Sequence, residues 1–367
     1  MSVSADETGI YIVEEATYGV VPATPAFVEL PIVSESLGTN ANTTTSNTLN
    51  PDRQLVDNIL TGLDVSGNLE IEVARTAALD LIMESAFASD FDISGAPAWA
   101  LNVGTTKKSF TIMKRWPDPA GTPGVDYLYH IYQGCVVNSM TINMPSGAEV
   151  TSSIAMIGKE VDADTTTVLP VGATLTSPSA FNVLRAPEVQ DIVLDNVANT
   201  LATAIGAACV TDLTLTLNAN VRGIQCLGTL GNKETVLGRF ESTLAMTIFF
   251  NSNDIMEEFL NQGIVDASFT IGDDTTADHY AFTVPKGKIS AETVVAGGTG
   301  TDVVNAVTVQ ALIDNTLTPP TSLKLDTSVL ALMPLFLTAQ TCMWSFFSVG
   351  PVTDAMQFIG GVATTVI

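Results

Sequence analysis

The chain has 367 residues, 14 of them basic and 39 acidic, which gives a net charge of −25 at pH 7. This surplus of acids excludes a basic face that would hold nucleic acid by neutralising its phosphates. The length allows two domains, because single cores rarely grow beyond about 200 residues. Val, Thr, Ile and Ala recur in alternating patterns. These residue types favour strands over helices, so the sequence predicts a mainly β protein.

The first half of the chain is predicted to hold a strand followed directly by a helix. Apolar and polar residues alternate over 64–74, so one face is buried and Asp64, Glu70 and Glu72 lie on the other. Thr76 can cap the helix. The apolar stripe of this helix consists of Leu79, Ile82, Met83 and Ala86. Further strands are predicted over residues 109–116, 127–133 and 136–144.

A proline-rich segment, residues 117–124, separates two of these strands and is predicted to be the tip of a long hairpin. Proline cannot donate to a strand ladder, so such a tip does not pair as an edge strand. No counterpart of this hairpin is recognised in the second half of the chain. Loops on rigid scaffolds commonly carry contacts, whereas a tolerated surface insertion is the alternative.

The second half is predicted to repeat the element order of the first. Before it, residues 160–203 form a connector rich in turn residues, in which 191–194 can pair with 200–205 as a hairpin. A strand then alternates over 240–250. Candidate caps of the next helix are Ser252, Asn253 and Asp254, and its apolar stripe is Ile255, Met256, Phe259 and Leu260. Later strands are predicted over residues 267–271, 280–285 and 288–295.

Collinear matches between the halves indicate an internal duplication. Residues 147–156 match 300–309, an offset of 300 − 147 = 153, and Gly134 and Val136 fall on Gly287 and Ile289 at the same offset. Earlier matches pair Asn40 with Asn218, Gly62 with Gly238 and Leu79 with Ile255. The offset between the later matches is smaller than the offset between the earlier ones. The first copy must therefore carry an insertion, part of which lies in the hairpin tip. The sequence therefore predicts two β-sandwich modules, each with one amphipathic helix, at residues 1–159 and 204–329.

The two ends of the chain bear on its location. Residues 1–8 are polar and acidic with no apolar run behind them, which predicts that no signal peptide is present. Residues 330–367 are largely apolar, and only Asp354 among them is charged. Their length allows a membrane span, but Pro334 and Gln340 interrupt the run and no basic flank fixes its orientation. We expect an arm that packs against protein rather than a membrane.

A search for chemistry predicts no enzyme, no cofactor and no metal. His130 and His279 each stand beside a tyrosine in a strand-like run, outside any catalytic motif. The four cysteines form no C-x-x-C pair and are expected to be reduced thiols. The acidic pairs Asp162/Asp164 and Asp273/Asp274 lie in turn-like stretches, where a solvated loop is the simpler interpretation than a cation site.

Three segments near the N-terminus resemble the tail tube proteins of long-tailed phages. They are residues 15–26 (EATYGVVPATPA), 50–57 (NPDRQLVD) and 62–70 (GLDVSGNLE), in the order found in that family. The resemblance is good over residues 10–87 and looser as far as 329.

This resemblance implies a structural protein of the virion tail, assembled in the bacterial cytoplasm. Family members form rings whose inner sheets join into one β-barrel with helices outside, and the rings stack into a tube. A tape-measure protein occupies the lumen during assembly, DNA passes through it on ejection, and tail terminator and baseplate proteins are further partners. A closed barrel removes open strand edges, and an acidic lining keeps DNA mobile without binding it.

The resemblance also implies where the candidate residues lie in the assembled tube. Asp64, Glu70 and Glu72 are expected to line the lumen, with a solvent-exposed outer face as the alternative. The hairpin residues Trp116, Pro117, Asp118, Pro119 and Pro123 are expected to contact the neighbouring ring. Two modules per chain predict that three chains complete a ring that six one-module subunits would otherwise form; the alternative is six chains with one module outside the barrel.

Three other classes of protein compete with this interpretation. Another phage ring protein, such as a tail terminator, baseplate ring or decoration protein, would share the sandwich and the lack of chemistry. A secreted β-sandwich binding module is disfavoured by the polar N-terminus and the apolar C-terminal segment. An enzyme would need a set of converging polar residues, which the sequence does not offer.

Overall fold

The computed structural model describes residues 4–94, 98–122, 126–162, 169–178, 181–196, 209–272 and 279–328. Residues 1–329 form one compact unit, and the predicted C-terminal arm lies outside the described residues. The protein is mainly β, as the alternating sequence predicts, with a sheet that curls into a half-barrel. The two described α-helices are α1 (Ala77–Phe87) and α2 (Asp254–Asn261). The described strands are β1 (Gly9–Glu14), β2 (Ala26–Leu30), β3 (Ser34–Glu35), β4 (Gly38–Thr45), β5 (Asn58–Glu72), β6 (Ala98–Asn102), β7 (Phe110–Pro117), β8 (Tyr127–Pro145), β9 (Thr151–Gly158), β10 (Glu160–Asp162), β11 (Thr174–Thr176), β12 (Val189–Asn196), β13 (Val210–Asn218), β14 (Arg222–Ile224), β15 (Glu234–Val236), β16 (Glu241–Phe249), β17 (Val265–Gly272), β18 (His279–Ala296), β19 (Val303–Ala311) and β20 (Lys324–Ser328).

Eight strands form a continuous antiparallel sheet, here called the inner sheet. Its order is β4–β5–β9–β8–β13–β16–β19–β18, with β3 beside the far end of β5. Only residues 136–145 of β8 and 287–296 of β18 belong to it. One face of this sheet is apolar and packs into the main core, where Val65, Leu215 and Ile142 are fully buried.

Two further sheets extend from the other ends of the long strands. One has the order β11–β2–β1–β7–β8–β10, and the other β12–β17–β18–β20–β6. The sequence predicted a break near Gly134 and another near Gly287, but β8 and β18 each continue through as one strand. Gly134 has a φ of 64°, a left-handed conformation that lets β8 turn from one sheet into the other.

The helices confirm one predicted stripe and correct the other. Thr76 caps α1 by accepting a hydrogen bond from the Leu79 amide at 3.2 Å, and all four predicted stripe residues of α1 are buried. In α2, Ile255 is buried, whereas Met256 is 40% and Leu260 69% exposed. The prediction was wrong for these two because α1 packs against β8, β2 and β6, while α2 packs mainly against β18.

The predicted connector contributes strands to both outlying sheets. β10 and β11 join the sheet that contains β1, and β12 pairs with β17. The hairpin partner predicted for residues 191–194, residues 200–205, lies outside the described residues. The acids Asp164, Asp273 and Asp274 also lie outside them.

The proline-rich hairpin has a counterpart, contrary to the sequence prediction. β7 and β8 form the first hairpin, and the consecutive antiparallel strands β17 and β18 form the second. Strand β6, between α1 and β7, instead pairs with β20 near the end of the described chain. The extra residues of the first half therefore lie mainly between α1 and β7, where sequence periodicity gave no sign of a strand with so distant a partner.

Candidate assembly surfaces

The face of the inner sheet opposite the core is polar. Asp64, Glu70 and Glu72 lie on this face of β5, because the alternate residues Val65 and Leu69 point into the core. Its uncharged members, all partly exposed, include Ser66, Thr141, Asn143, Thr151, Ser153, Thr214, Thr216, Thr243, Thr247, Thr308 and Gln310. The structure thus places the three predicted acids on the same broad hydroxyl-rich and amide-rich face.

Hydrogen bonds hold two of these acids against the sheet. The Ser153 hydroxyl donates to Glu70 at 2.6 Å, across the ladder between β9 and β5. Asp64 accepts from the Asn42 amide at 2.7 Å and from the Gln225 amide at 2.9 Å. Asp212 and Glu241 add acids from the second half to the same face. The net charge of the face is therefore negative, with Lys288 as a counter-charge near the bend of β18.

A buried carboxylate, Glu15, explains the E-x-T-Y-G motif. Glu15 is 7% exposed and accepts hydrogen bonds from the amides of Gly19 and Gly134 at 2.7 and 2.8 Å. The hydroxyls of Ser109 and Thr111 also donate to it, at 2.7 and 2.8 Å. This carboxylate joins the N-terminal turn, β7 and the bend of β8. The sequence marks Glu15 only as part of a motif; the available signal was a second acid after the apolar run of β1.

Tyr18 of the same motif packs against the bend. A Cβ at Gly134 would lie 3.0 Å from the Tyr18 ring, so the glycine allows the close approach. The Lys107 ammonium lies 4.4 Å from the centre of this ring, in cation–π contact. Burial raises the pKa of Tyr18 to about 12.

Local packing also explains why the V-S-G motif has a glycine at position 67. A Cβ at Gly67 would lie 2.4 Å from the Ser36 carbonyl oxygen and 2.5 Å from the Leu37 Cα. The segment between β3 and β4 crosses β5 at this point, and only glycine leaves room for its backbone. The motif therefore reflects packing of the sheet edge.

A buried polar group ties α1 to β18. The Tyr280 hydroxyl donates to Asp80 at 2.6 Å, and the Arg75 guanidinium lies 3.5 Å from the other carboxylate oxygen. Burial raises the pKa of Asp80, against the opposing effect of Arg75, and raises the pKa of Tyr280 well above its ordinary value. Perturbed groups of this kind occur in active sites and in structural networks alike. Here they connect elements from the two halves of the chain.

The hairpin residues predicted to contact a neighbour lie at the end of β7. Trp116 meets the His130 ring edge-on at 4.8 Å between centres. Asp118 closes the turn by accepting from the Ala120 amide at 2.8 Å. Pro117 ends β7, Pro119 belongs to the tip, and Pro123 lies outside the described residues. Lys114, lower in the hairpin, is buried and donates to Glu35 and to the Leu37 carbonyl.

Among the described residues, the remaining candidates for chemistry do not converge. Burial lowers the pKa of His130, and His279 lies at the start of β18. Cys135 is buried, which raises its pKa, while Cys209 and Cys226 are exposed free thiols. Cys342 lies outside the described residues. In the part of the chain that the structure describes, no three His, Cys, Asp or Glu side chains are placed to hold a metal ion.

Two surfaces were not anticipated from the sequence. The hairpin between β4 and β5 exposes apolar side chains: Leu49, Leu55, Val56, Ile59 and Leu60. The D-R-Q-L-V segment within it was the available signal, since its apolar residues have polar neighbours on both sides. The inner sheet also has two open edges among the described strands, at β4 and at residues 288–296 of β18. Open edges are sites where further strands can pair.

Comparisons with known proteins identify the family. None of the helices that the structure describes is long and apolar enough to cross a membrane. Comparison with curated proteins finds no relative that matches the chain. The family model for phage tail tube proteins matches residues 5–311, most of the sequence. The chain therefore belongs to the phage tail tube protein family.

Proposed function

We propose that this member of the tail tube family assembles into rings that stack into a tube, and that the tube conducts DNA on ejection. The observation that carries the proposal is the inner sheet, which has one polar, partly exposed face and, among the described strands, two open edges. Joining such sheets edge to edge closes a barrel and satisfies every strand. Its partners would be copies of itself, the tape-measure protein, and tail terminator and baseplate proteins, with assembly in the bacterial cytoplasm.

Electron microscopy of the purified protein tests this proposal directly. Long hollow tubes are expected. Single rings that never stack would instead favour a terminator, baseplate or decoration protein, and a monomer at all concentrations would contradict assembly altogether.

The proposal includes two related modules, residues 1–159 and 204–329, joined by 160–203. The strand registers support it. Asn40 lies opposite Asp64 as Asn218 lies opposite Glu241, with offsets of 218 − 40 = 178 and 241 − 64 = 177. The same offsets relate a second pair of opposite residues in each ladder. Glu35 lies opposite Leu69 in the first half, and Leu213 lies opposite Met246 in the second.

The later strands support the duplication in the same way. Val137 lies opposite Met156 as Ile289 lies opposite Val309, with offsets of 289 − 137 = 152 and 309 − 156 = 153. A bulge follows directly in both long strands, at Asn138 and Ser290. Bulges are specific features of a strand rather than random irregularities, so a shared bulge argues for common descent.

We further propose that three chains complete one ring. Each module supplies four strands of the inner sheet, so three chains would supply as many as six one-module subunits. Covalent linkage replaces half of the associations between modules with intramolecular ones at high effective concentration. Closed cyclic symmetry then leaves no edge unpaired. The competing arrangement has six chains per ring, each with one module outside the barrel.

In this ring the polar face would line the lumen, which assigns Asp64, Glu70 and Glu72 to the wall. The apolar face carries the core and both helices, so it cannot face a water-filled channel. A negative wall repels the DNA phosphates and prevents them from binding. The alternative is that this face is merely a solvent-exposed outer surface.

The first hairpin tip is proposed to contact the next ring through Trp116, Pro117, Asp118, Pro119 and Pro123. Replacing residues 117–124 with a short glycine bridge should leave a folded protein that forms rings but no tubes, because the replacement removes only the last pair of the β7–β8 ladder, Pro117 with Tyr127. Electron microscopy checks polymerisation, and thermal unfolding checks the fold.

A variant with a Gly-Ser tip of the original length is the matched control. It keeps the loop length and removes the stiff proline contacts, so it should also fail to polymerise. Tubes of normal length from the shortened variant would contradict the assignment and favour a tolerated surface insertion.

A further inference from the structure

The junction between the two halves within one chain is a strand pair, β8 with β13. The Ala219 amide donates to the Asn138 carbonyl at 2.8 Å at one end, and the Ser146 amide to the Thr211 carbonyl at 2.8 Å at the other. On the core side Met140 faces Leu217 and Ile142 faces Leu215. These four side chains are at most 1% exposed.

The open edges of the inner sheet are the counterparts of these two strands. By the registers given above, residues 288–296 of β18 (the β18 edge) correspond to residues 136–144 of β8. Residues 34–45, comprising β3 and β4 (the β4 edge), correspond to β13 and the residues after it. Among the described strands of one chain, each edge therefore lacks the partner that its counterpart has at the junction.

We infer that the β18 edge of one copy pairs antiparallel with the β4 edge of a second copy, with Ala291 opposite Asn40. The inference rests on the proposed ring and specifies its closing contact. The register comes from the internal junction: Ser139 lies opposite Asn218, and the offsets 139 + 152 = 291 and 218 − 178 = 40 transfer that pair to the two edges.

The directions of the backbone groups agree with this register. The Ser36 amide donates to the Asn68 carbonyl, so alternate residues from Ser36 bond β5, and Thr39 and Ala41 present their groups to the open edge. The Phe250 amide donates to the Val303 carbonyl, so β19 bonds β16 through odd-numbered residues and β18 through even-numbered ones. The backbone N–H and C=O groups of Glu292 therefore point away from β19, toward the open edge. The proposed register sets Glu292 opposite Thr39.

Exposure of the β18 edge fits a missing neighbour. Val294 is 41% exposed, although its counterpart Ile142 is fully buried. In the proposed pair Val294 lies opposite Leu37, as Ile142 lies opposite Leu215. A second chain on this edge would therefore cover an apolar side chain that one chain leaves in water.

One pair changes its chemistry between the two junctions. Glu292 takes the place of Met140 and Thr39 the place of Leu217, so a polar pair replaces an apolar one. Within the described residues of one chain, Glu292 Oε1 is buried and has no hydrogen-bond partner. The Thr39 hydroxyl of the second copy would donate to it. A buried acceptor that is satisfied in one register alone also selects that register, because a slipped strand leaves it unpaired.

A disulfide across the contact tests the register. Ala291→Cys and Asn40→Cys are combined in a protein whose Cys209, Cys226 and Cys342 are replaced by serine. The proposed pair is not hydrogen-bonded, which places its Cα atoms about 4.5 Å apart and within disulfide range. Oxidised tubes should give covalent oligomers on a non-reducing gel. The matched control pairs Ala291→Cys with Asn42→Cys, two residues away and roughly 7–8 Å apart, and should remain monomeric on the gel.

The outcomes separate this inference from the proposed function. Tubes that form without the 291–40 disulfide, or that cross-link through 291–42 instead, overturn the register and leave the ring proposal intact. If the unmodified protein forms neither rings nor tubes, the ring proposal itself fails.

Should the cysteine variants not fold, the polar pair provides a second test. Glu292→Ala is expected to raise the protein concentration needed for assembly by on the order of tenfold, since it removes a hydrogen bond to a charged group. Glu292→Met with Thr39→Leu copies the internal junction and should restore assembly. Unchanged assembly of Glu292→Ala, or failure of the double variant to assemble once it is folded, would overturn the inference.

Discussion

Replacing Glu15 with alanine is expected to lower the free energy of unfolding by at least about 3 kcal/mol. The substitution removes the only acceptor that the structure describes for two buried amides, those of Gly19 and Gly134, and for the hydroxyls of Ser109 and Thr111. Each buried donor left unpaired costs about 1–3 kcal/mol. Chemical denaturation of the unassembled protein measures the change.

Two matched variants isolate the cause. Glu15→Gln keeps one oxygen acceptor and should have an intermediate effect. Glu7→Ala removes an exposed acid near the same strand and should change stability by less than about 0.5 kcal/mol. A Glu15→Ala protein as stable as the wild type would show that the carboxylate does not hold the bend of β8.

Reversing the charge of Glu70 and Glu72 to lysine is expected to slow DNA ejection on the order of tenfold at low salt. Both side chains lie on the polar face of β5, where lysine is accommodated at the surface, so tubes should still assemble. The new ammonium groups would attract the passing phosphates and retard the DNA. Ejection from virions carrying the variant, followed with a fluorescent dye, measures the rate.

Salt and position provide the controls. The effect should shrink as salt rises, because the Debye length falls from about 30 Å at 0.01 M to about 10 Å at 0.1 M. Asp6→Lys with Glu7→Lys makes the same change of charge in exposed residues outside the inner sheet and should leave the rate unchanged. Ejection by the Glu70/Glu72 variant at the wild-type rate in low salt would contradict the lumen assignment.

Local patterns predicted the elements whose burial follows from their own sequence. The alternation around Val65 and Leu69 gave β5, and the helical spacing from Leu79 to Ala86 gave α1, because both bury one side against the core. The apolar stripe of α2 wrongly predicted that Met256 and Leu260 are buried. Their burial would need a covering element, which the packing of α2 on β18 does not supply. Periodicity reports what a segment can bury and does not identify its partner.

Local sequence patterns could not predict long-range strand pairing or backbone irregularities, for a related reason. No local signal connects β6 with β20, whose pairing spans most of the chain. In the proposed duplication Val137, not Val136, is the counterpart of Ile289, because the turn between β18 and β19 is one residue longer than the turn between β8 and β9. Alternation alone predicted that the three acids share one face of β5, as they do in the structure. Glu15 was missed because its donors come from three separate segments.

The central claim is that one chain occupies two positions of the barrel. A reconstruction of the assembled tube by electron cryomicroscopy tests it most directly, because it counts both the chains in a ring and the strands each contributes to the lumen wall. We expect three chains per ring, each supplying the eight strands of its inner sheet, with a pseudo-sixfold arrangement of modules. Six chains per ring, each with a single module in the wall, would contradict it.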